Sequence, residues 1–155
     1  MRNRWAVGLL EVCPDERVLE IGFGPGIAIR ELSRRATHGY VCGIDHSAEV
    51  VRQARRRNAQ AVSAGVVDLR LASAENLPQF DRPFDKVLAV NTLVMWPDPD
   101  ARLKELRQVM APGGRIAIVS QPRTPGAAAE TTWLKGREIT ERLERAGFTA
   151  IRSET

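Results

Sequence analysis

The feature that most constrains this chain is an alternation of two textures along its length. Short runs rich in Val, Ile and Leu recur at Arg17 to Ile21, Tyr40 to Ile44, Val66 to Leu71, Lys86 to Val90 and Arg115 to Val119. Each is followed by a turn signal or a helical period. A near-continuous apolar run is what a strand covered on both faces requires, and that is the situation of a parallel sheet. Between the runs, Ala28, Ile29, Leu32 and Ala36 fall on one side of a helix and Arg30, Glu31, Arg34 and Arg35 on the other. Ser47 reads as the N-cap of a helix reaching about Ala59, with Glu49 in the first turn where the helix dipole favours an anion. Asp98 and Pro99 open a third helix whose inward stripe is Leu103, Leu106 and Met110, stopped by Ala111-Pro112-Gly113-Gly114. A last helix ends at Ala146, with Ile139 and Leu143 inward and Gly147 suited to the left-handed position that follows. Repeated strand-helix alternation implies right-handed crossovers, and so an α/β fold: a doubly wound, mostly parallel sheet in three αβα layers. Such sheets bind ligands at the carboxyl ends of their strands, near the point where strand order reverses.

At 155 residues the chain has the length of one domain. Residues 1–16 are expected to form an N-terminal helix and 17–155 the core. The only loose stretch is Gln121 to Ala129, rich in Pro, Gly and Ala. With 43% hydrophobic and 27% charged residues, neither wholesale disorder nor a membrane class fits. Arg2 and Arg4 precede an apolar run, Trp5 to Leu10, that Glu11 cuts too short for a secretory segment or a spanning helix, so a cytoplasmic location is expected. Cys13 and Cys42 show no CxxC spacing, which signals neither a disulfide framework nor a metal site, and Cys42 reads as a packed strand residue. The formal charge of +4 raises the question of a nucleic-acid partner. Its densest cluster, Arg52, Arg55, Arg56 and Arg57, lies on a helix, and a solvated helix face accounts for it better.

The first strand leads through Glu20-Ile21-Gly22-Phe23-Gly24-Pro25-Gly26 into a helix, the arrangement in which backbone N–H groups at a helix N-terminus receive an anion. Glycine permits the tight turn and the close approach of a ligand. A dinucleotide fingerprint, GxGxxG, needs glycine at position 27, where this chain has Ile27. The second feature is Asp45, closing the second strand, about where an acid accepts hydrogen bonds from ribose hydroxyls. A carboxylate suits a vicinal diol because it offers acceptors and no donors. The competing account has Asp45 merely capping the next helix.

These residues carry a family resemblance. Val18 to Gly26 (VLEIGFGPG) resembles motif I of class I S-adenosylmethionine-dependent methyltransferases, and Gly43 to Ala54 (GIDHSAEVVRQA) resembles the segment that follows. Ala72 to Pro78 (ASAENLP), Phe84 to Pro97 (FDKVLAVNTLVMWP) and Leu103 to Ile118 (LKELRQVMAPGGRIAI) are similar to the later motifs, in order. Within that family the chain most resembles the small-molecule enzymes of the ubiquinone-biosynthesis type. The resemblance implies S-adenosylmethionine as cofactor. Gly22, Phe23, Gly24 and Gly26 would flank its methionyl part, and Glu20 would support its ammonium group directly or through water. Asp45 would take the ribose diol and His46 would pack beside the adenosine. Ala74 would offer backbone groups to adenine with Glu75 alongside, and Asn91 would present its carbonyl near the ammonium. The competing account of His46, Glu75 and Asn91 is ordinary loop hydrogen bonding. Ser73 stands where the family often has an Asp that reaches the adenine amino group, which weakens that contact.

A sulfonium methyl is already activated toward in-line attack, so the protein's task is to align an acceptor and exclude water, and orientation of that kind can lower a barrier by up to roughly 7–11 kcal/mol. A general base is needed only where the acceptor must lose a proton, and none stands out. Val94, Met95 and Trp96 follow the fourth strand as an apolar wall or as plain packing, and His38 reads as a surface residue. No NPPY-like run or Pro-Cys marks a DNA methyltransferase, Asn91-Thr92-Leu93-Val94 standing in the first position. The family core ends in an antiparallel hairpin that this chain truncates. Residues near Thr149 to Arg152 are expected to pair with the strand at Arg115 to Val119, giving order 3-2-1-4-5-6; the alternative leaves an unpaired edge for a homodimer. The short ends offer little material for a lid, which suggests a bulky substrate, a lid from a partner, or a domain without turnover. The expected function is methyl transfer to a small or medium organic acceptor. Its rivals are a non-catalytic module, an RNA methyltransferase motivated by basicity, and an NAD enzyme disfavoured by Ile27.

Overall fold

The computed structural model describes residues 2–121 and 128–155, so most of the loose stretch from Gln121 to Ala129 lies outside the described residues. A helix, α1 (Arg2–Leu10), precedes strand β1 (Arg17–Ile21), followed by α2 (Ile27–Arg35), β2 (Tyr40–Asp45), α3 (Ala48–Arg57), α4 (Ala59–Ser63) and β3 (Val67–Leu71). Strand β4 (Phe84–Val90) runs into a 3-10 turn (Leu93–Met95), and α5 (Pro99–Gln108), β5 (Met110–Val119) and α6 (Ala129–Arg145) complete the chain. All strand pairs are parallel, in the order β3-β2-β1-β4-β5. The order reverses between β1 and β4, which places the carboxyl end of β1 at the switch point.

Alternate residues of each strand feed two separate cores. Val18, Val41, Val67, Leu69 and Leu88 pack with Ala6, Val7 and Leu10 of α1 and Ala28, Ile29 and Leu32 of α2. Leu19, Ile21, Cys42, Ile44, Val87 and Ala89 pack on the opposite face with Leu103 and Leu106 of α5 and Leu143 of α6. Two covered faces make the three-layer αβα architecture that the apolar runs require, with Cys42 in its expected strand.

Two expectations need correction. Met110 is not in a helical stripe: α5 stops at Gln108, and Met110 opens β5 opposite Phe84. The next paired residues are Lys86 and Arg115, so Ala111 to Gly114 loop out as a bulge, with Gly113 at φ +76°. The segment Thr149 to Arg152 does not pair with β5, and no strand follows α6 among the described residues. The cause is local. Gly147 (φ +94°) closes α6, with the Phe148 N–H donating to the Leu143 carbonyl at 3.0 Å, and Ala150 adopts φ +53°, which breaks an extended run. Phe148 and Ile151 turn instead onto the α5/α6 core. A groove of about 1160 Å³ therefore lies along the free edge of β5, lined by Ile116, Ile118, Ile139, Leu143, Phe148 and Ile151 among others.

Candidate cofactor site

The glycine turn sits where β1 ends at the switch point. Gly22, Gly24 and Gly26 take φ of +71°, +52° and +77°, a left-handed path that residues with a Cβ resist. Long-range contacts hold the path. The Gly22 N–H donates to the Ile44 carbonyl (2.8 Å), Gly24 N–H to Asp45 Oδ2 (3.1 Å) and Gly26 N–H to the Phe23 carbonyl (3.0 Å). The amides expected to face an anion thus have internal acceptors, and the turn presents no row of free donors from its glycines.

Asp45 is buried at the end of β2 and spans the site. Its Oδ2 takes the Gly24 amide and its Oδ1 takes the Ser47 amide at 3.0 Å. Ser47, not Asp45, caps α3, its hydroxyl oxygen accepting from the Val50 N–H. The carboxylate therefore joins the turn to the end of the second strand. His46 is mostly exposed, with Nδ1 3.8 Å from Asp45 Oδ1. The Ala72 N–H donates to the Asp45 carbonyl (3.0 Å), and the Asn76 N–H to the Ser73 carbonyl (3.2 Å), so Ser73, Ala74 and Glu75 form a turn beside the end of β2. Ser73 and Ala74 are half-buried and Glu75 is exposed.

Glu20 is the site's unusual group. It lies in mid-sheet on β1 opposite Gly43 and Leu88, 2% exposed, and its Oε2 has no hydrogen-bond partner. Burial, reinforced by the Asp45 charge, pushes its carboxyl up to about 8. Asn91 (φ +58°) is partly occupied by the fold: its Oδ1 accepts the Gln121 N–H at 2.8 Å, tying the end of β4 to the end of β5. Its side-chain carbonyl is therefore already engaged. Phe23 is a core residue, 3% exposed, with its ring against Gly43 and Ile29 in the same cluster. The apolar wall after β4 divides: Val94 and Met95 are 75% and 60% exposed, whereas Trp96 is packed in the core.

Two residues with no sequence signal also build the turn. Thr92 is buried, donates from Oγ1 to the Ile21 carbonyl (3.2 Å), and lies so close to Gly22 that a Cβ there would meet its Cγ2 at 2.4 Å. Asn58 is buried and donates from Nδ2 to the Gly26 carbonyl (3.2 Å) and the Ala54 carbonyl (2.9 Å), fastening the turn's far end to α3. A Cβ at Gly24 would meet nothing within 4 Å, so the middle of the turn borders open space.

An open parallel sheet with a glycine turn and a strand-end acid at its switch point is the architecture in which nucleoside cofactors are bound. A family profile described as methyltransferase domain matches residues 18–114. The chain is 33% identical over 149 residues to the uncharacterized methyltransferase YdaC of Bacillus subtilis, an alignment covering 96% of this chain and 80% of that one. It is 31% identical to the ubiquinone/menaquinone biosynthesis C-methyltransferase UbiE of Geotalea daltonii, across 78% of this chain but only 53% of the relative. In three dimensions it resembles a SAM dependent methyltransferase from Aquifex aeolicus, with a TM-score of 0.78 at 24% identity, covering 97% of this chain and 81% of that one. The chain belongs to the class I S-adenosylmethionine-dependent methyltransferase family.

Proposed function

We propose that this methyltransferase moves the methyl group of S-adenosylmethionine to a small or medium organic acceptor by in-line displacement, and that Glu20, Asp45 and the Gly22–Gly26 turn hold the cofactor. When bound, the sulfonium supplies a methyl group already activated for transfer. The observation that carries the reading is the charge of the turn. Its glycine amides are satisfied internally, while the Asp45 carboxylate and the buried carboxyl group of Glu20 stand against it. A pyrophosphate needs free amides and a positive field, so such a site disfavours a dinucleotide and suits a cation that carries a ribose. Asp45 keeps acceptor capacity for a diol beyond the two amides it already serves. His46, Ser73, Ala74 and Glu75 would border the adenosine, and Asn91 would close the side next to β5. Exposed Val94 and Met95, just past the end of β4, form an apolar shelf suited to an organic acceptor. The UbiE relative, a ubiquinone/menaquinone biosynthesis C-methyltransferase, supports an acceptor of that kind.

No helix of the described residues is long and apolar enough to cross a membrane, and a cytoplasmic location remains part of the proposal. So does a homodimer through the free β5 edge, which sedimentation would detect. Calorimetry with S-adenosylhomocysteine tests the core of the reading. Binding that NAD does not displace is expected, and absence of binding at near-millimolar ligand would overturn it. A methylated product from labelled cofactor in an acceptor screen would then exclude a purely non-catalytic module. Anisotropy with RNA at low salt, expected to be flat, tests the RNA alternative.

A further inference from the structure

Glu20 combines features that seldom coexist without a reason. It is a carboxyl group in the middle of the central strand, closed off from water, and one of its oxygens has no partner. A buried polar atom left unpaired costs on the order of 1–3 kcal/mol. Among the described residues no cationic side chain pairs with it. The groups around it can be named element by element. β2 contributes Gly43 beside it and Asp45 two residues on, with exposed His46 at the far side of Asp45. β4 contributes Leu88 and Val90, and the core on this face brings Ala6, Val7 and Leu10 of α1 and Ala28, Ile29 and Leu32 of α2, none titratable. Among the described residues, the charge acting on Glu20 is therefore another anion, Asp45.

We propose that Glu20 is a proton-coupled counter-ion: protonated in the free protein, it gives up its proton when the ammonium group of the cofactor arrives, so that binding expels one proton and selects for a cationic ligand. The inference rests on the cofactor reading above. Its logic is electrostatic. Ionised Glu20 in the free protein would bring a second negative charge next to Asp45 in a dry site, whereas an incoming ammonium both supplies the missing partner and favours the ionised form. A neutral nucleoside offers no such exchange, so it leaves the proton in place.

With the free carboxyl near 8, about nine-tenths of Glu20 is protonated at pH 7, and binding should release about 0.9 proton. The same linkage makes the apparent Kd about ninefold larger at pH 6 than at pH 7, a range over which the ligand's own amine stays charged. The experiment is calorimetry of the whole chain with S-adenosylhomocysteine in buffers of different ionisation enthalpy, repeated with Glu20→Gln and with 5′-methylthioadenosine, which lacks the amino-acid moiety. Release near one proton in the native protein, near none in Glu20→Gln and none with methylthioadenosine is the expected result. Glu20→Gln retains His46, so a pH slope arising there would persist in the variant. Binding of S-adenosylhomocysteine without proton release overturns the proposal and leaves the cofactor reading standing, and equal release with methylthioadenosine overturns it as well. Failure of S-adenosylhomocysteine to bind strikes the cofactor reading first and this proposal with it. Where the variant folds poorly, the comparison of S-adenosylhomocysteine with methylthioadenosine in the native protein still decides, because both carry the adenosine proposed to lie beside His46 and only one carries the ammonium.

Discussion

Replacing Gly22 by Ala tests whether long-range packing or local backbone preference holds the turn. Two costs add. Forcing an L-residue to φ +71° costs about 1–2 kcal/mol. The new Cβ would also sit 2.4 Å from Thr92 Cγ2 and 3.1 Å from Thr92 Cβ, so the threonine must rotate away. Rotation drops the 3.2 Å hydrogen bond from its hydroxyl to the Ile21 carbonyl in a buried site, worth a further roughly 1–3 kcal/mol. The sum, about 2–5 kcal/mol, is a large share of a typical domain's stability of about 5–15 kcal/mol. Gly24→Ala is the control, because its φ of +52° carries the first cost while its Cβ meets nothing within 4 Å. Urea unfolding followed by tryptophan fluorescence should therefore show Gly22→Ala more destabilising than Gly24→Ala by about 1–3 kcal/mol. Thr92→Ser removes the offending methyl and keeps the hydroxyl, so a double-mutant cycle should return most of that difference as coupling. Equal costs for the two glycines, or no coupling with Thr92→Ser, would refute the argument that Thr92 shapes the turn.

Asn58→Ala removes the amide hydrogen bond to the Gly26 carbonyl together with the one to the Ala54 carbonyl of α3. A loss of about 1–3 kcal/mol in urea unfolding is expected, with S-adenosylhomocysteine affinity falling in calorimetry because the turn's far end is released. Asp45→Asn keeps one acceptor oxygen for two amides and removes the charge offered to the diol. Its Kd should rise about 10- to 100-fold, the effect of a lost hydrogen bond to a charged group at about 1.5–3 kcal/mol. The pH dependence of the free protein follows from Glu20, whose carboxyl moves from 4.5 in the unfolded chain to about 8 in the fold. Between these values the native state holds a proton that the unfolded state has lost, so stability falls as pH rises from about 5 to 8. Thermal melts across that window should show the decline, and Glu20→Gln should flatten it.

The strands were legible because parallel packing demands apolar residues on both faces, and β1 was readable to its bounds at Arg17–Ile21. Helix starts were legible where a capping residue announces them, as with Ser47 and with Asp98 before Pro99. What failed were the places where a local signal had two outcomes. Ala111-Pro112-Gly113-Gly114 stops a helix equally well as it forms a bulge, and only pairing of Met110 with Phe84 decides. Thr149 to Arg152 has the composition of a strand, yet the cap of α6 and the left-handed Ala150 send it back onto the core.

The site divides along the same line. The Gly22-Phe23-Gly24-Pro25-Gly26 spacing announces a tight turn, but the chemistry of a glycine turn depends on whether its amides are free. Two of the acceptors that occupy them here lie on β2, at Ile44 and Asp45, about twenty residues away in sequence. The groups that fix the turn's position are farther still, Asn58 at 32 residues from Gly26 and Thr92 at 71 from Ile21. A row of glycines read alone therefore suggests an anion cradle. In the folded chain the glycine amides are already spent, with the Asp45 carboxylate and the buried Glu20 carboxyl group beside them, and on the proposed reading this arrangement favours a sulfonium cofactor over a pyrophosphate one. Arginine or lysine placed at Asp45 should consequently abolish S-adenosylhomocysteine binding without creating NAD binding, because the glycine amides would still be spent on Ile44 and Phe23.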